Sequence, residues 1–290
     1  MMARASNSRA RATLLGALAI LMWAALPALG AASGPVPPFQ LTAMMFALAA
    51  LIGLGKWTIA GQGILIHLRV PPRALALGVG GLFGYHALYF LAIQTAPPIE
   101  ASLINHLWPL LIVLFSGLLP GERLRANQLA GGALGLLGAL AIVTGAGFEG
   151  FKSQYLAGYL AALGCALVWS GYSVASRLFP QVPSDAVGLQ CAVASALALA
   201  GHLLFETTRW PEGGQWLAVL ALGLGPGGVA FYLWDHGVKH GAIGTLGVLA
   251  YFAPSLAALL LVAFGLAQFS PAILLALALI VGGAVLATRR

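Results

Sequence analysis

The chain has 290 residues, of which 60% are hydrophobic and only 7% are charged. Soluble domains carry about 25% charged residues, so this composition excludes a soluble protein and indicates an integral membrane protein. The formal net charge of +7 reflects either an acidic partner or the orientation of the chain in its membrane.

The apolar stretches predict ten membrane-spanning helices, since one span needs about 20 residues. In chain order they lie at 12–29, 39–66, 74–94, 98–118, 127–146, 155–177, 184–205, 214–237, 242–264 and 270–288. Prolines mark many of the connections, as at Pro71 and Pro72 after the second span. Ten spans use about 200 residues, which leaves no room for a sizeable soluble domain.

The two halves of the chain repeat each other at an offset of about 145 residues, so that Pro109 recurs as Pro254 and Gly80 as Gly225. A unit with an odd number of spans enters the membrane upside down when it is repeated. Such inverted repeats usually place a solute site near the bilayer midplane. We therefore predict an all-α integral membrane protein in which two inverted five-helix repeats surround a central cavity.

The predicted boundaries are a cytoplasmic tail (1–11), the first repeat (12–146), a periplasmic linker (147–154) and the second repeat (155–288). The first 30 residues also have the form of a cleavable signal peptide. We expect this segment to be retained as a span, because its Trp23 is the repeat partner of Trp169 in the sixth span, one residue out of the common offset.

The basic residues follow the predicted topology. With the N-terminus inside, two of them, Lys152 and Arg209, fall in outer loops. Eleven fall on the inner side: Arg4, Arg9, Arg11, Arg69, Arg73, Arg123, Arg125, Arg177, Lys239, Arg289 and Arg290. This asymmetry predicts that both termini are cytoplasmic. The positive charge is thus explained by orientation, and we expect no nucleic-acid partner.

The inventory of reactive residues argues against an enzyme. The sequence has no H-E-x-x-H zinc pattern and no G-x-S-x-G nucleophile elbow, and we expect neither a metal nor a cofactor. Cys165 and Cys191 fall inside predicted spans, where we expect buried apolar residues rather than a disulfide.

Ion-coupled transporters commonly carry carboxylates in the membrane interior. In this sequence only Glu100 and Asp235 approach that position, and Asp235 has Lys239 one helical turn away. We expect Asp235 to pair locally, near the membrane interface. The sequence therefore favours a carrier without tight ion coupling.

Three tryptophans lie unusually deep. Trp23, Trp108 and Trp169 are about 10–13 residues into their spans, roughly 15–20 Å at 1.5 Å per residue. An indole there needs a partner for its N–H or a hydrated cavity, so we predict a shared aromatic chamber. The alternative is that these rings pack in the core or face lipid. Four further tryptophans are assigned to the membrane interfaces: Trp57, Trp210, Trp216 and Trp234.

His86 lies near the middle of the third span, where ionisable groups are costly and often functional. Tyr85 and Tyr89 are spaced so that all three side chains share one broad helix face. We predict that this face lines the cavity. A neutral imidazole bonded only to a backbone carbonyl is the alternative.

Asn105 and Trp108 are three residues apart and share one stripe of the fourth span, so Asn105 is a second polar candidate for the cavity or a bond between helices. Pro109 and Pro254 interrupt matching helices, as gating hinges or as static kinks. Lys56 either holds a substrate carboxylate or extends to the inner interface.

Together these features resemble a known group of transporters. The ten-span repeat, the mid-span tryptophans and Gly121-Glu122-Arg123-Leu124 after the fourth span resemble the EamA-type branch of the drug/metabolite transporter superfamily. The stretch 101–115, ASLINHLWPLLIVLF, is similar more specifically to the YddG aromatic amino acid exporters of bacterial inner membranes.

The resemblance implies a central cavity between the repeats and export of aromatic amino acids by alternating access, with His86, Trp108 and Trp169 in the cavity and Tyr85 and Tyr89 beside them. We expect a small-molecule substrate, a lipid bilayer around the protein and function as a monomer. A carrier of the same fold for another metabolite or drug, and a lipid flippase, stay open as alternatives.

Overall fold

The computed structural model of the chain describes residues 2–61, 63–144, 150–265 and 268–289, and every regular element in these ranges is helical. The α-helices are α1 (Met2–Trp23), α2 (Leu26–Ala32), α3 (Pro38–Ile59), α4 (Ile64–His67), α5 (Pro72–Val79), α6 (Tyr85–Thr95), α7 (Pro98–Asn105), α8 (Trp108–Ser116), α9 (Ala126–Thr144), α10 (Leu156–Ala175), α11 (Val187–Phe205), α12 (Gln215–Leu224), α13 (Ala230–His240), α14 (Ile243–Leu249), α15 (Phe252–Ala263) and α16 (Pro271–Thr288).

Nine helical stretches in the described ranges are long and apolar enough to cross a membrane. They are Asn7–Ala32, Pro38–Ile59, Pro72–Thr95, Pro98–Ser116, Ala126–Thr144, Ser153–Leu178, Ser184–Phe205, Gln215–His240 and Ile243–Ala263. The tenth predicted span coincides with α16, whose apolar part, Pro271–Ala287, is shorter. The chain is therefore a multi-pass, all-helical membrane protein. Of the predicted linker (147–154), residues 147–149 lie outside the described ranges.

The second predicted span was too long. It was expected to continue to residue 66, whereas α3 ends at Ile59 and a separate short helix follows. Gly61 has a φ of 64°, a left-handed conformation that glycine adopts without strain and that ends a helix. The apolar residues of α4 prolonged the hydrophobic pattern beyond this turn.

Four of the membrane helices are interrupted, in two matching pairs. The first pair consists of π-helical turns, Gly80–Gly84 between α5 and α6 and Gly225–Val229 between α12 and α13. The second pair separates α7 from α8 and α14 from α15. The members of each pair are related by the offset found in the sequence.

Pro109 and Pro254 account for the second pair of interruptions. A proline has no N–H to donate to the carbonyl four residues earlier. The preceding residues tighten instead: Leu107 N donates to Ile104 O at 3.1 Å, and Tyr251 N donates to Val248 O at 3.2 Å. The helices are therefore broken next to both of these prolines, as the sequence predicted.

Glycines allow two helix pairs to approach closely. A Cβ added to Gly237 of α13 would lie 2.6 Å from the Cα of Gly16 of α1. Between α9 and α16, a Cβ on Gly131 or Gly283 would lie 2.5 Å from the carbonyl oxygen of the other. Without a hydrophobic force between helices in lipid, such close backbone packing is a main source of their association.

Gly283 and its neighbour Gly282 provide a matched test of this packing. Gly283→Ala should lower the melting temperature of the purified protein in detergent, because overpacking costs about 1–3 kcal/mol. Gly282→Ala adds the same methyl group where no described heavy atom lies within 4 Å. Its melting temperature should hold or rise, since Ala favours a helix over Gly by about 1 kcal/mol. Equal melting of the two variants would contradict the close approach.

Candidate ligand-binding cavity

A cavity of about 570 Å³ lies in the middle of the bundle. It extends from the connection between α2 and α3, at Ser33 and Gly34, to Trp108 and Trp169 inside the bundle. Small-molecule sites usually measure roughly 300–1,000 Å³. The cavity is therefore large enough to hold a metabolite.

Four tryptophans from four helices pack together at the cavity, and we call this cluster the tryptophan floor: Trp23, Trp108, Trp169 and Trp234. The first three line the cavity, and Trp234 packs behind them. Every pair of these rings is in contact, with centroids between 5.1 and 6.5 Å apart. Most pairs meet edge-on or tilted, the geometries that aromatic rings prefer, and each such pair contributes about 0.5–1.5 kcal/mol beyond area burial. The floor brings together the three tryptophans that the sequence placed at one depth.

Trp234 is the member of the floor that the sequence assigned wrongly. It was expected at a membrane interface, yet it is 0% exposed and its Nε1 donates to Ser173 Oγ at 3.0 Å. Counting residues along a span gives the height of a side chain but not the face of the helix that carries it. Here Ser173 supplies the acceptor that a buried indole requires.

Trp23 connects the floor to a helix interruption. Its Nε1 donates to the carbonyl oxygen of Pro226 at 3.0 Å, within the π-helical turn Gly225–Val229. A backbone carbonyl released by an irregular turn must find a donor inside a membrane, and this indole provides one.

The predicted polar face lines one wall of the cavity, through Tyr85, His86, Tyr89 and Asn105. Asn105 Nδ2 donates to the hydroxyl oxygen of Tyr85 at 3.0 Å, and the rings of Tyr85 and Tyr89 stack with centroids 6.2 Å apart. His86 Nδ1 lies 2.8 Å from Leu82 O. His86 therefore fulfils both expectations from the sequence: it lines the cavity, and its imidazole is bonded to a backbone carbonyl.

Two further polar residues of this wall, Ser102 and His106, were not singled out from the sequence. His106 Nδ1 lies 2.6 Å from Ser102 O and 3.3 Å from Ser102 Oγ. Their spacing of four residues, beside Asn105, was a signal that could have identified them. Pro109 and Pro254 also line the cavity.

Lys56 is not among the described residues that line the cavity. Its ammonium group pairs with the carboxylate of Asp185 at the start of the seventh span, and its side chain is 60% exposed. Lys56 lies one turn before the end of α3, so its side chain reaches the end of a neighbouring helix rather than the cavity. Asp235 pairs with Lys239 at 2.9 Å, as expected for a local pair.

The cavity wall is uncharged: no Asp, Glu, Lys or Arg of the described ranges lines it. Most of its neutral polar groups lie on α6, on α7 or directly after α7, with Ser33 and Thr42 besides, and aromatic or aliphatic side chains form most of the rest. An apolar cavity with a few polar groups, enclosed by membrane helices, is the kind of site that holds a small solute. The fold and the site are those of a membrane transporter.

The comparisons with known proteins identify its family. The sequence profile of the EamA-like transporter family matches residues 10–144 and again residues 156–289. The chain belongs to the EamA-like transporter family, whose members are transporters rather than enzymes.

Relatives carry more specific names. An aromatic amino acid exporter YddG from Ancylobacter novellus is 51% identical over 97% of this chain and 98% of its own length. A biotin transporter from Salmonella typhimurium is 27% identical over 75% of this chain and 72% of its own length. A solved crystal structure that is 50% identical superposes with a TM-score of 0.92, covering 97% of this chain and 98% of that one.

The two lysine pairs should differ in their contribution to stability. Lys56→Gln should change the free energy of unfolding by no more than about 1 kcal/mol, because exposed ion pairs contribute little. Lys239→Gln should cost about 3–5 kcal/mol, because it leaves a buried carboxylate unpaired; the two side chains of that pair are 4% and 2% exposed. Thermal melts of both variants in the same detergent measure the difference, and a larger loss for Lys56→Gln would contradict the assignment.

Proposed function

We propose that this protein exports aromatic amino acids, or similar apolar metabolites, across the bacterial cytoplasmic membrane by alternating access and without tight ion coupling. The observation that carries the proposal is the aromatic surface of the cavity, formed by three tryptophans of the floor (Trp23, Trp108 and Trp169) and by Tyr85 and Tyr89. The name of the 51% identical relative supports the same substrate class.

An aromatic substrate fits this surface chemically. A planar side chain that meets the rings of Trp108 and Trp169 gains about 0.5–1.5 kcal/mol per good contact beyond area burial. His86 and Asn105 offer hydrogen bonds to the polar head of the substrate. Neutral partners keep the binding weak enough for release, and the uncharged wall supports transport without a bound coupling ion.

The proposed arrangement is ten spans in two inverted repeats, 12–146 and 155–288, joined by a periplasmic linker (147–154) and preceded by a cytoplasmic tail (1–11). The two matches of the family profile and the paired interruptions support it. With both termini cytoplasmic, the connection between α2 and α3 lies in the periplasm. The cavity then faces the periplasm, the side on which an exporter releases its substrate.

Contacts at the opposite, cytoplasmic end hold the two halves together. Glu122 Oε1 lies 3.1 Å from Arg9 Nη2 of α1 and 3.1 Å from Arg177 Nη2 beyond α10. Nearby, Ala242 N donates to Thr13 Oγ1 at 2.9 Å. Opening the cavity to the cytoplasm has to separate these groups, and the breaks at Pro109 and Pro254 are the proposed hinges.

The described cavity is built from one chain, which supports function as a monomer within the bilayer. If the protein is instead a carrier of the same fold for another metabolite or drug, it should prefer a different solute. Biotin, the substrate named for a more distant relative, is therefore the competitor to include in transport assays. A flippase would instead move phospholipid.

Export can be tested with cells that overproduce the protein and are challenged with toxic aromatic amino acid analogues. Trp108→Ala and His86→Ala should lose resistance, with transport in proteoliposomes falling about tenfold or more, as expected for loss of about 1.4 kcal/mol of substrate binding. Matched controls are Trp210→Ala and His240→Ala, both exposed and outside the cavity. Normal export by both cavity variants would refute the site, and a preference for biotin or lipid would refute the substrate.

The cytoplasmic contacts can be tested by labelling a cysteine in the cavity with a membrane-impermeant thiol reagent. In an Ala253→Cys background, Glu122→Gln should slow labelling from the periplasm, because weakening the closed cytoplasmic end favours opening on that side. Two partly exposed pairs of about 0.2–1 kcal/mol each predict a shift of about twofold to thirtyfold. Glu212→Gln, an exposed carboxylate elsewhere, is the control. Unchanged labelling in Glu122→Gln would show that these pairs do not restrain opening.

A further inference from the structure

One buried acceptor on the cavity wall has no partner among the described residues. Asn105 is 8% exposed and lines the cavity. Its Nδ2 donates to the Tyr85 hydroxyl at 3.0 Å, whereas its Oδ1 has no hydrogen-bond partner in the described part of the chain. A buried acceptor without a donor is costly, so this oxygen is an unfilled position for an N–H group.

The two histidines of the same wall also present acceptors. His86 Nδ1 is bonded to Leu82 O at 2.8 Å, and His106 Nδ1 to Ser102 O at 2.6 Å. A carbonyl oxygen only accepts, so each Nδ1 carries the hydrogen, and in the neutral imidazole Nε2 is left with a lone pair. No residue of the described ranges bonds to either Nε2.

The tyrosines of the same wall supply hydrogen-bond donors. Because the Tyr85 oxygen accepts from Asn105, its own hydrogen is free to point elsewhere. Tyr89, which also lines the cavity, makes no hydrogen bond through its hydroxyl within the described ranges. The wall thus places acceptors on Asn105 and the histidines and free O–H donors on the tyrosines.

We propose that Asn105 Oδ1, assisted by Nε2 of His86 and His106, binds the α-ammonium group of the substrate, while the tyrosine hydroxyls face its carboxylate. Asn105 is then the residue that selects aromatic amino acids over aromatic acids of the same shape that lack the amino group. This inference rests on the proposed function and specifies how the same cavity orients its substrate.

Three probes test separately how the ammonium and the carboxylate of the substrate are recognised. They are L-phenylalanine, 2-phenylethylamine, which lacks the carboxylate, and 3-phenylpropionate, which lacks the amine. Binding is measured by calorimetry on the full-length protein in lipid nanodiscs. The unmodified protein should bind phenylalanine and phenylethylamine about tenfold or more tightly than phenylpropionate, because phenylpropionate leaves the buried Asn105 Oδ1 without a donor.

Asn105→Leu should weaken phenylalanine and phenylethylamine about tenfold and leave phenylpropionate unchanged, which also shows that the variant is folded. Asn105→Asp keeps an acceptor at this position and should restore binding of the two amines. Asn127→Leu is the matched control, since Asn127 bonds to Arg289 O at 2.9 Å outside the cavity.

The outcomes are distinct. Equal weakening of all three probes in Asn105→Leu would mean that Asn105 only supports the packing of the wall, and would overturn the inference. Selective loss of phenylpropionate would mean that the amide NH₂ group faces the ligand, and would overturn it as well. Equal binding of all three probes by the unmodified protein would remove the inference alone, whereas binding of none would remove the proposed function with it. If Asn105→Leu does not fold, the unmodified protein and Asn105→Asp still decide the matter through their preference for phenylethylamine.

Discussion

Mutual packing of four indole rings is the interaction on which the cavity depends. The rings contact one another inside the bundle, and three of them, Trp23, Trp108 and Trp169, line the cavity. Deep in a membrane an indole N–H needs an acceptor, and two indoles of the floor find one within the protein. Trp234 bonds to Ser173, and Trp23 bonds to the carbonyl of Pro226. The floor is therefore both an aromatic cluster and a hydrogen-bonded connection between helices from the two halves of the chain.

The helix interruptions free backbone polar groups that a continuous helix would bond internally. A continuous membrane helix satisfies its own backbone and leaves little for a solute to bind. The breaks before Pro109 and Pro254 remove backbone donors beside the cavity, and the π-helical turn at Pro226 offers a carbonyl to Trp23. The breaks recur at matching positions in the two halves of the chain.

Much of this architecture could be predicted from the sequence, and the failures have two physical causes. Hydrophobic length located the helices, and depth along each span located Trp23, Trp108 and Trp169, now found in one cluster. Neither quantity determines the direction in which a side chain points. Trp234 was therefore assigned to the interface and Lys56 to a possible substrate site, although packing between helices turns the first inward and the partner Asp185 holds the second outside. The helix end at Gly61 was missed because apolar residues continue past it.

The clustering of the indoles has a practical consequence. Four of the seven tryptophans of the chain are close enough for their excited states to couple, and any rearrangement that parts the rings changes that coupling. The near-ultraviolet circular dichroism and emission of the unlabelled protein should therefore be dominated by this one spot. The molecule therefore carries an intrinsic optical signal that reports the arrangement of these four rings.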